Sequence, residues 1–284
     1  MNLKSLFLKS MLCLTLGLPG VLSHSSALHA DAEDINQKIV SPHQFEVTPE
    51  IFAYSYKEWL KKKPLMSLKG PKFGLGGAYT YNFGKNFVKF ASRFAIGNGK
   101  YKSNGTGKRK FNPSCYVDSQ ALYGRHFDLS SNVTISPYLG LGYRYLITPP
   151  TGIRTTTGHS NYLRQSHYLY IPIGSDLTIP IDSKLSFVAN AEYDVFLKGL
   201  QKSHLGSYYG GTYNNKQSRG YGLKAAAGLR WDLEKMAIEA KPFFRYWSIA
   251  DSKTICKTGG IGRVCAKEPK NETKEVGLGI TFKF

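Results

Sequence analysis

The residues best suited to chemistry are basic. Lys100-Tyr101-Lys102 and Lys108-Arg109-Lys110-Phe111 crowd cations beside aromatic rings in one short segment, and Lys61-Lys62-Lys63 forms a second run. Clustered cations suit a polyanion, and flanking rings can stack on sugar faces. Cys256 and Cys265 share a segment with Gly259, Gly260 and Gly262 between them. No His or carboxylate separates the two, so the spacing points to a disulfide in an oxidising compartment and not to a metal site. Cys115 is left over, and its pairing with either of the others stays open. Gly158-His159-Ser160-Asn161 sets an imidazole beside a hydroxyl, but in a polar stretch that reads as loop. Gly74-x-Gly76-Gly77 opens no helix, so it is no dinucleotide fingerprint. No cofactor or metal is expected.

These residues must be positioned by strands. Over 133–147, Val133, Ile135, Leu139, Leu141, Tyr143 and Tyr145 share one face, while Thr134, Ser136, Gly140, Gly142 and Arg144 share the other. Residues 184–198 and 219–233 alternate in the same way. Period-2 alternation is strand, because side chains leave a strand on opposite faces in turn. Strands of this length exceed the ~5–6 residues usual in soluble proteins and suit a tilted membrane crossing. Ten are expected: 44–56, 71–82, 86–97, 114–127, 133–148, 162–178, 184–198, 218–233, 235–249 and 273–284. Tight turns alternate with long polar loops at 57–70, 98–113, 149–161, 199–217 and 250–272. The expected fold is all-β: a ten-stranded, antiparallel, up-and-down transmembrane β-barrel, one domain over 33–284.

Residues 1–32 read as a cleaved signal peptide. Lys4 and Lys9 precede a short apolar run at 11–22, and small residues allow cleavage after Ala27, Ala30 or Ala32. Export removes nucleic acid as the default partner of a chain with 38 Lys plus Arg against 19 Asp plus Glu. Once Lys4 and Lys9 are discounted, the whole remaining positive excess falls on the five long loops and their flanks. The strand interiors balance. Lys89, Arg93, Arg144, Arg164, Lys224, Arg230, Lys241 and Arg245 face inward with Asp118, Asp176, Glu192, Asp194, Asp232, Glu239 and Glu275. Charges in so narrow a space must pair. The lumen is therefore expected to be a salt-bridged plug, since open porin lumens belong to 16–18 strands.

Val276, Leu278, Ile280, Phe282 and Phe284 alternate to the final residue. In this the chain resembles the outer-membrane β-barrel proteins of Gram-negative bacteria. That resemblance implies an integral outer-membrane location with loops at the cell surface. It also implies recognition of Phe282 and Phe284 by the barrel-assembly machinery. Ten strands further resemble omptin surface proteases and some surface adhesins. Omptins activate water with paired acids on one wall and an Asp-His couple on the other. Asp118, Asp194 and His204 are the positions that could stand for them. Asp118 lacks a neighbouring acid, however, and Asp194 and His204 lack the tight Asp-x-His spacing, so the set is incomplete. The expectation is a monomeric surface protein, an adhesin or structural barrel. Its basic loops, with Lys61, Lys62, Lys63, Lys100, Lys102, Lys108, Arg109 and Lys110, would contact lipopolysaccharide or a host or environmental polyanion. An outer-membrane hydrolase of omptin or lipid A-modifying type and a narrow channel are the alternatives.

Overall fold

The computed structural model describes residues 42–130 and 132–284. The signal peptide expected at 1–32 lies outside the described residues. Fourteen strands are present: β1 His43–Leu60, β2 Lys63–Phe83, β3 Asn86–Ser103, β4 Gly107–Arg125, β5 Phe127–Ser130, β6 Val133–Thr148, β7 Leu163–Pro180, β8 Leu185–His204, β9 Thr212–Gln217, β10 Gly220–Asp232, β11 Ala237–Ile249, β12 Ile255–Gly259, β13 Gly262–Ala266 and β14 Lys270–Lys283. Ten of them form one closed antiparallel barrel, in the order β1-β2-β3-β4-β6-β7-β8-β10-β11-β14 and back to β1. β5 pairs with the start of β6, and β9 pairs with the end of β8 where β10 no longer reaches. A separate hairpin, β12–β13, stands at the long-loop end.

The wall is turned inside out relative to a soluble protein. Ile51, Phe73, Leu75, Phe90, Leu139, Leu141, Ile173, Phe244, Val276 and Leu278 point outward and are exposed. A continuous exposed apolar surface of this kind requires lipid. Aromatic rings border it at both ends: Tyr81, Phe83, Tyr123, Phe127, Trp231 and Phe284 at the short-turn end, and Tyr143, Tyr193 and Tyr221 at the other. From Tyr221 to Trp231 on β10, at ~3.4 Å per residue and a tilt of about 40°, the belt spans roughly 25 Å. That matches the apolar band of a membrane barrel.

The long loops prove to be mostly strand. Residues 57–70, expected as loop, carry β1 and β2 on to a turn at Lys61-Lys62, both at positive φ. Residues 98–113 likewise extend β3 and β4, 199–217 hold the end of β8 and all of β9, and 250–272 hold the β12–β13 hairpin. Of the five expected loops, only 149–161 contains no strand. Above the belt the outward positions become Lys and Ser, so apolar alternation vanishes while backbone pairing continues. The wall therefore rises well past the lipid.

Inward-facing glycines make room for large rings. A Cβ on Gly142 would lie 2.2 Å from the Tyr170 ring, and one on Gly222 would lie 2.9 Å from Trp247. Tyr170 and Trp247 meet edge to face at 5.0 Å in the centre of the barrel.

Candidate functional site

The charges inside the barrel are knitted together. Glu275 takes Arg144 at 3.0 Å and Arg93 at 3.2 Å. Glu50 takes Arg93 at 3.1 Å and Arg245 at 2.6 Å. Arg144 reaches Asp118 at 3.4 Å and stacks 4.3 Å from the Tyr116 ring. Lys224 binds Glu192 at 2.6 Å and Asp194 at 3.2 Å. Each acid answers a nearby base, which offsets the desolvation cost of burial. Strand parity delivers this: every member sits on the lumen face of its strand.

This layer divides the lumen into two chambers that share no lining residue. The chamber at the short-turn end is a cavity of about 250 Å³, bounded by Glu46, Lys89, Arg93 and Glu192 among others. The chamber at the long-loop end has about 1020 Å³, with Tyr54, Tyr116 and Lys72 toward its floor and Arg109, Arg154 and Tyr162 higher on its walls. Arg144, Glu275, Tyr170 and Trp247 line neither. They are the partition.

Asp118 and Asp194 are brought near each other around Lys224 and Tyr170, but His204 is not brought to them. Asp118 is buried against Arg144 and accepts a hydrogen bond from the Tyr170 hydroxyl. Asp194 is fully buried beside Lys224. His204 ends β8, roughly 33 Å farther along the strand. There its Nε2 meets Gln165 at 2.9 Å and its Nδ1 meets Thr212 at 3.0 Å. His159 touches Thr157 through Nδ1 at 3.0 Å. None of these contacts couples an imidazole to a carboxylate.

The basic residues separate into two populations. Lys61, Lys62 and Lys63 are exposed at the β1–β2 tip, and Lys100, Lys102, Lys108 and Lys110 are exposed on the outer wall. Arg109 instead turns inward and is 7% exposed. A bulge explains it: Gly99 pairs Asn112 but Tyr101 pairs Arg109, so β4 carries one extra residue there. An extra residue reverses which face its neighbours occupy. The same bulge throws Lys108 and Lys110 outward.

On the outer wall the lysines fall into rows. Lys274, Ser55, Lys69 and Lys100 are cross-strand partners in succession over β14, β1, β2 and β3. One step higher, Glu272, Lys57, Ser67, Lys102 and Lys108 do the same, extending to β4. Glu272 is engaged by Lys270 at 3.0 Å. Lys57, Lys69 and Lys274 belong to this face, but sequence reading alone did not single them out. Strand continuation through 57–70 is the signal that would have found them. Among the described residues, no ion pair is made by Lys69, Lys100, Lys102 or Lys108.

At the mouth, Arg164 bridges Glu58 at 2.7 Å and Glu268 at 2.6 Å, and the Tyr56 hydroxyl donates to Glu58 at 3.0 Å. Burial pushes the Glu268 carboxyl up to about 7; Arg164 opposes the rise and the like charge of Glu58 adds to it. Cys256 and Cys265 form the expected disulfide across β12–β13. Cys115 is buried in the wall against Ile147 and takes no part in it.

No protein-family model and no curated protein matches the chain. Solved structures do match its shape. The outer membrane protease OmpT from Escherichia coli aligns with a TM-score of 0.62, covering 86% of this chain and 98% of that one at 10% identity. The fold is that of an outer-membrane β-barrel. At this identity the likeness carries the architecture alone, not the protease activity. The toluene transporter TodX of Pseudomonas putida gives a TM-score of 0.38 at 10% identity, covering 86% of this chain and 89% of that one. The translocator domain of the autotransporter NalP of Neisseria meningitidis gives 0.35 at 12% identity, covering 87% and 89%. The first of these likenesses, with the exposed apolar wall, bears out the expected class of fold and the outer-membrane setting.

Proposed function

We propose that this barrel is a cell-surface protein seated in lipopolysaccharide, with its outer lysine rows holding the phosphates of the outer-leaflet lipid. One observation carries this reading: Lys69 stands directly opposite Lys100, and Lys102 directly opposite Lys108. Like charges facing each other across strands destabilise a sheet. Two such pairs, side by side and just above the apolar belt, favour an anion that bridges them. Phosphate is the anion found at that depth in an outer leaflet, and lysine holds it as a point charge. The partitioned lumen supports a surface or binding role over conduction. The distance of His204 from Asp118 and Asp194, each of which is held by a buried base, gives no support to the hydrolase alternative.

The test uses purified, refolded barrel in micelles doped with bisphosphorylated lipid A or with a phosphate-free analogue. Thermal unfolding should shift upward with the phosphorylated lipid only, less so at high salt. Replacing Lys69, Lys100, Lys102 and Lys108 by Ala should abolish the shift. Equal shifts with both lipids, or an unchanged shift in the fourfold variant, would sink the proposal.

A further inference from the structure

The chamber at the long-loop end has a lining whose charge is not balanced. Arg109 lies buried on its wall. Its guanidinium donates to the Ile153 carbonyl at 3.2 Å and to the Asn112 side-chain oxygen, and it stacks 5.6 Å from the Tyr101 ring. No carboxylate meets it among the described residues, and its Nε has no partner. Burial accordingly depresses its affinity for the proton. Arg154, one residue beyond Ile153, lines the same wall; its only described contact is a hydrogen bond to the Gly158 carbonyl at 2.7 Å. The two acids near the chamber, Glu58 and Glu268, are both held by Arg164. A buried arginine without an acid is costly, and an anion entering the chamber would relieve it.

The rest of the lining says what body the anion carries. Tyr54, Tyr56, Tyr101 and Tyr162 contribute rings to the lining, and Ser103 and Ser160 contribute hydroxyls. A hydroxyl donates once and accepts twice, so these serines keep unused capacity. Tyrosine faces with hydroxyls in the same lining fit a polyhydroxylated ring. A plain aryl acid would leave those hydroxyls unanswered. The volume of about 1020 Å³ is at the upper end for enclosed small ligands. Exposed Arg154 and Ser160 on its rim leave it open toward the loops.

We infer that the chamber above the partition is a binding site for a short acidic saccharide of two or three rings, with Arg109 and Arg154 taking its acid groups and the tyrosines its ring faces. This site is separate from the lysine rows, which point to the opposite side of the wall, so either can fail without the other.

Titration calorimetry on the refolded wild-type barrel in neutral detergent tests it. The probes are digalacturonate, its methyl ester, a sulfated heparin disaccharide and salicylate. Binding of digalacturonate or the sulfated disaccharide, with the methyl ester at least tenfold weaker, is the expected result. Arg154→Gln, at an exposed position, should weaken acid binding about tenfold, the scale of one charged hydrogen bond. Arg109→Gln should do the same; if it does not refold, Arg154→Gln and the ester comparison decide. Equal affinity for acid and ester overturns the inference, as does unchanged affinity in Arg154→Gln. So does binding of salicylate alone, or of no acidic sugar at all.

Discussion

Lys69 on β2 and Lys100 on β3 are direct cross-strand partners on the outer wall, with no acid opposite either of them. The pair is a defect of the isolated protein and an asset only when an anion lies across it. Lys100→Glu converts the repulsion into attraction. In lipid-free detergent at low salt the variant should gain up to about 1 kcal/mol in chemical denaturation. In micelles with phosphorylated lipid A it should gain less than the wild type does. A variant no more stable than wild type in plain detergent would show that the two ammonium groups do not feel each other.

The partition should be the most sensitive part of the barrel. Arg144 and Glu275 are each about 1% exposed and 3.0 Å apart. Removing one partner strips the other of its nearest counter-charge and leaves it buried with only Asp118 (for Arg144) or Arg93 and Arg245 (for Glu275), at a cost of up to about 3–5 kcal/mol. Glu275→Gln and Arg144→Leu should therefore lower the unfolding midpoint strongly in a heat-modifiability assay. The wild type should pass no steady current in a planar bilayer. The double change Arg144→Ala with Trp247→Ala should open a conducting path.

Acid should stabilise the mouth. Glu268 has a pKa of about 7 in the folded chain, against an ordinary 4.5. The folded state thus binds a proton more tightly than the unfolded state between these values. Stability from this group is fully present below about pH 4.5 and is lost as pH rises toward 7. The denaturation midpoint should fall between pH 5 and pH 8, and Glu268→Gln should flatten that slope and be the more stable form at pH 8. Glu58, Arg164 and Tyr56 are the groups that face it, so Glu58→Gln should shift the same slope downward in pH.

Close packing around the central rings gives a further check. Gly142→Ala would put a methyl 2.2 Å from the Tyr170 ring. Overpacking of this kind costs about 1–3 kcal/mol. Adding Tyr170→Leu to Gly142→Ala should recover part of the loss. Two additive losses in the double variant would place the strain elsewhere.

The part of the chain within lipid was legible because every strand there answers to two solvents. At 133–148 the expected strand and β6 coincide, since apolar and small polar residues alternate throughout. Closure into ten staves followed from turn spacing. Above the membrane both faces meet water, the period loses its meaning, and the extended hairpins at 57–70 and 98–113 read as loops. The site suffered most from one inserted residue. Simple alternation carried up β4 from Asp118 through Tyr116 sends Lys108 and Lys110 inward and Arg109 outward. The bulge reverses all three, and no local composition announces it. The inward glycines and tyrosines were readable as mutual accommodation, but which ring meets which glycine depends on register.

The seam of the barrel lies between β1 and β14, whose partners include Val47 with Phe282 and Trp59 with Lys270. These are the described strands farthest apart along the chain. Every other stave pairing joins strands much nearer in sequence, so this ladder carries the greatest loop-closure entropy and is the last that diffusion can assemble. Until it forms, the nascent sheet has two open edges, each a template for a neighbouring copy. The time the chain spends unsealed is therefore governed by one long-range meeting, and that interval is when a folding catalyst at the membrane would matter most.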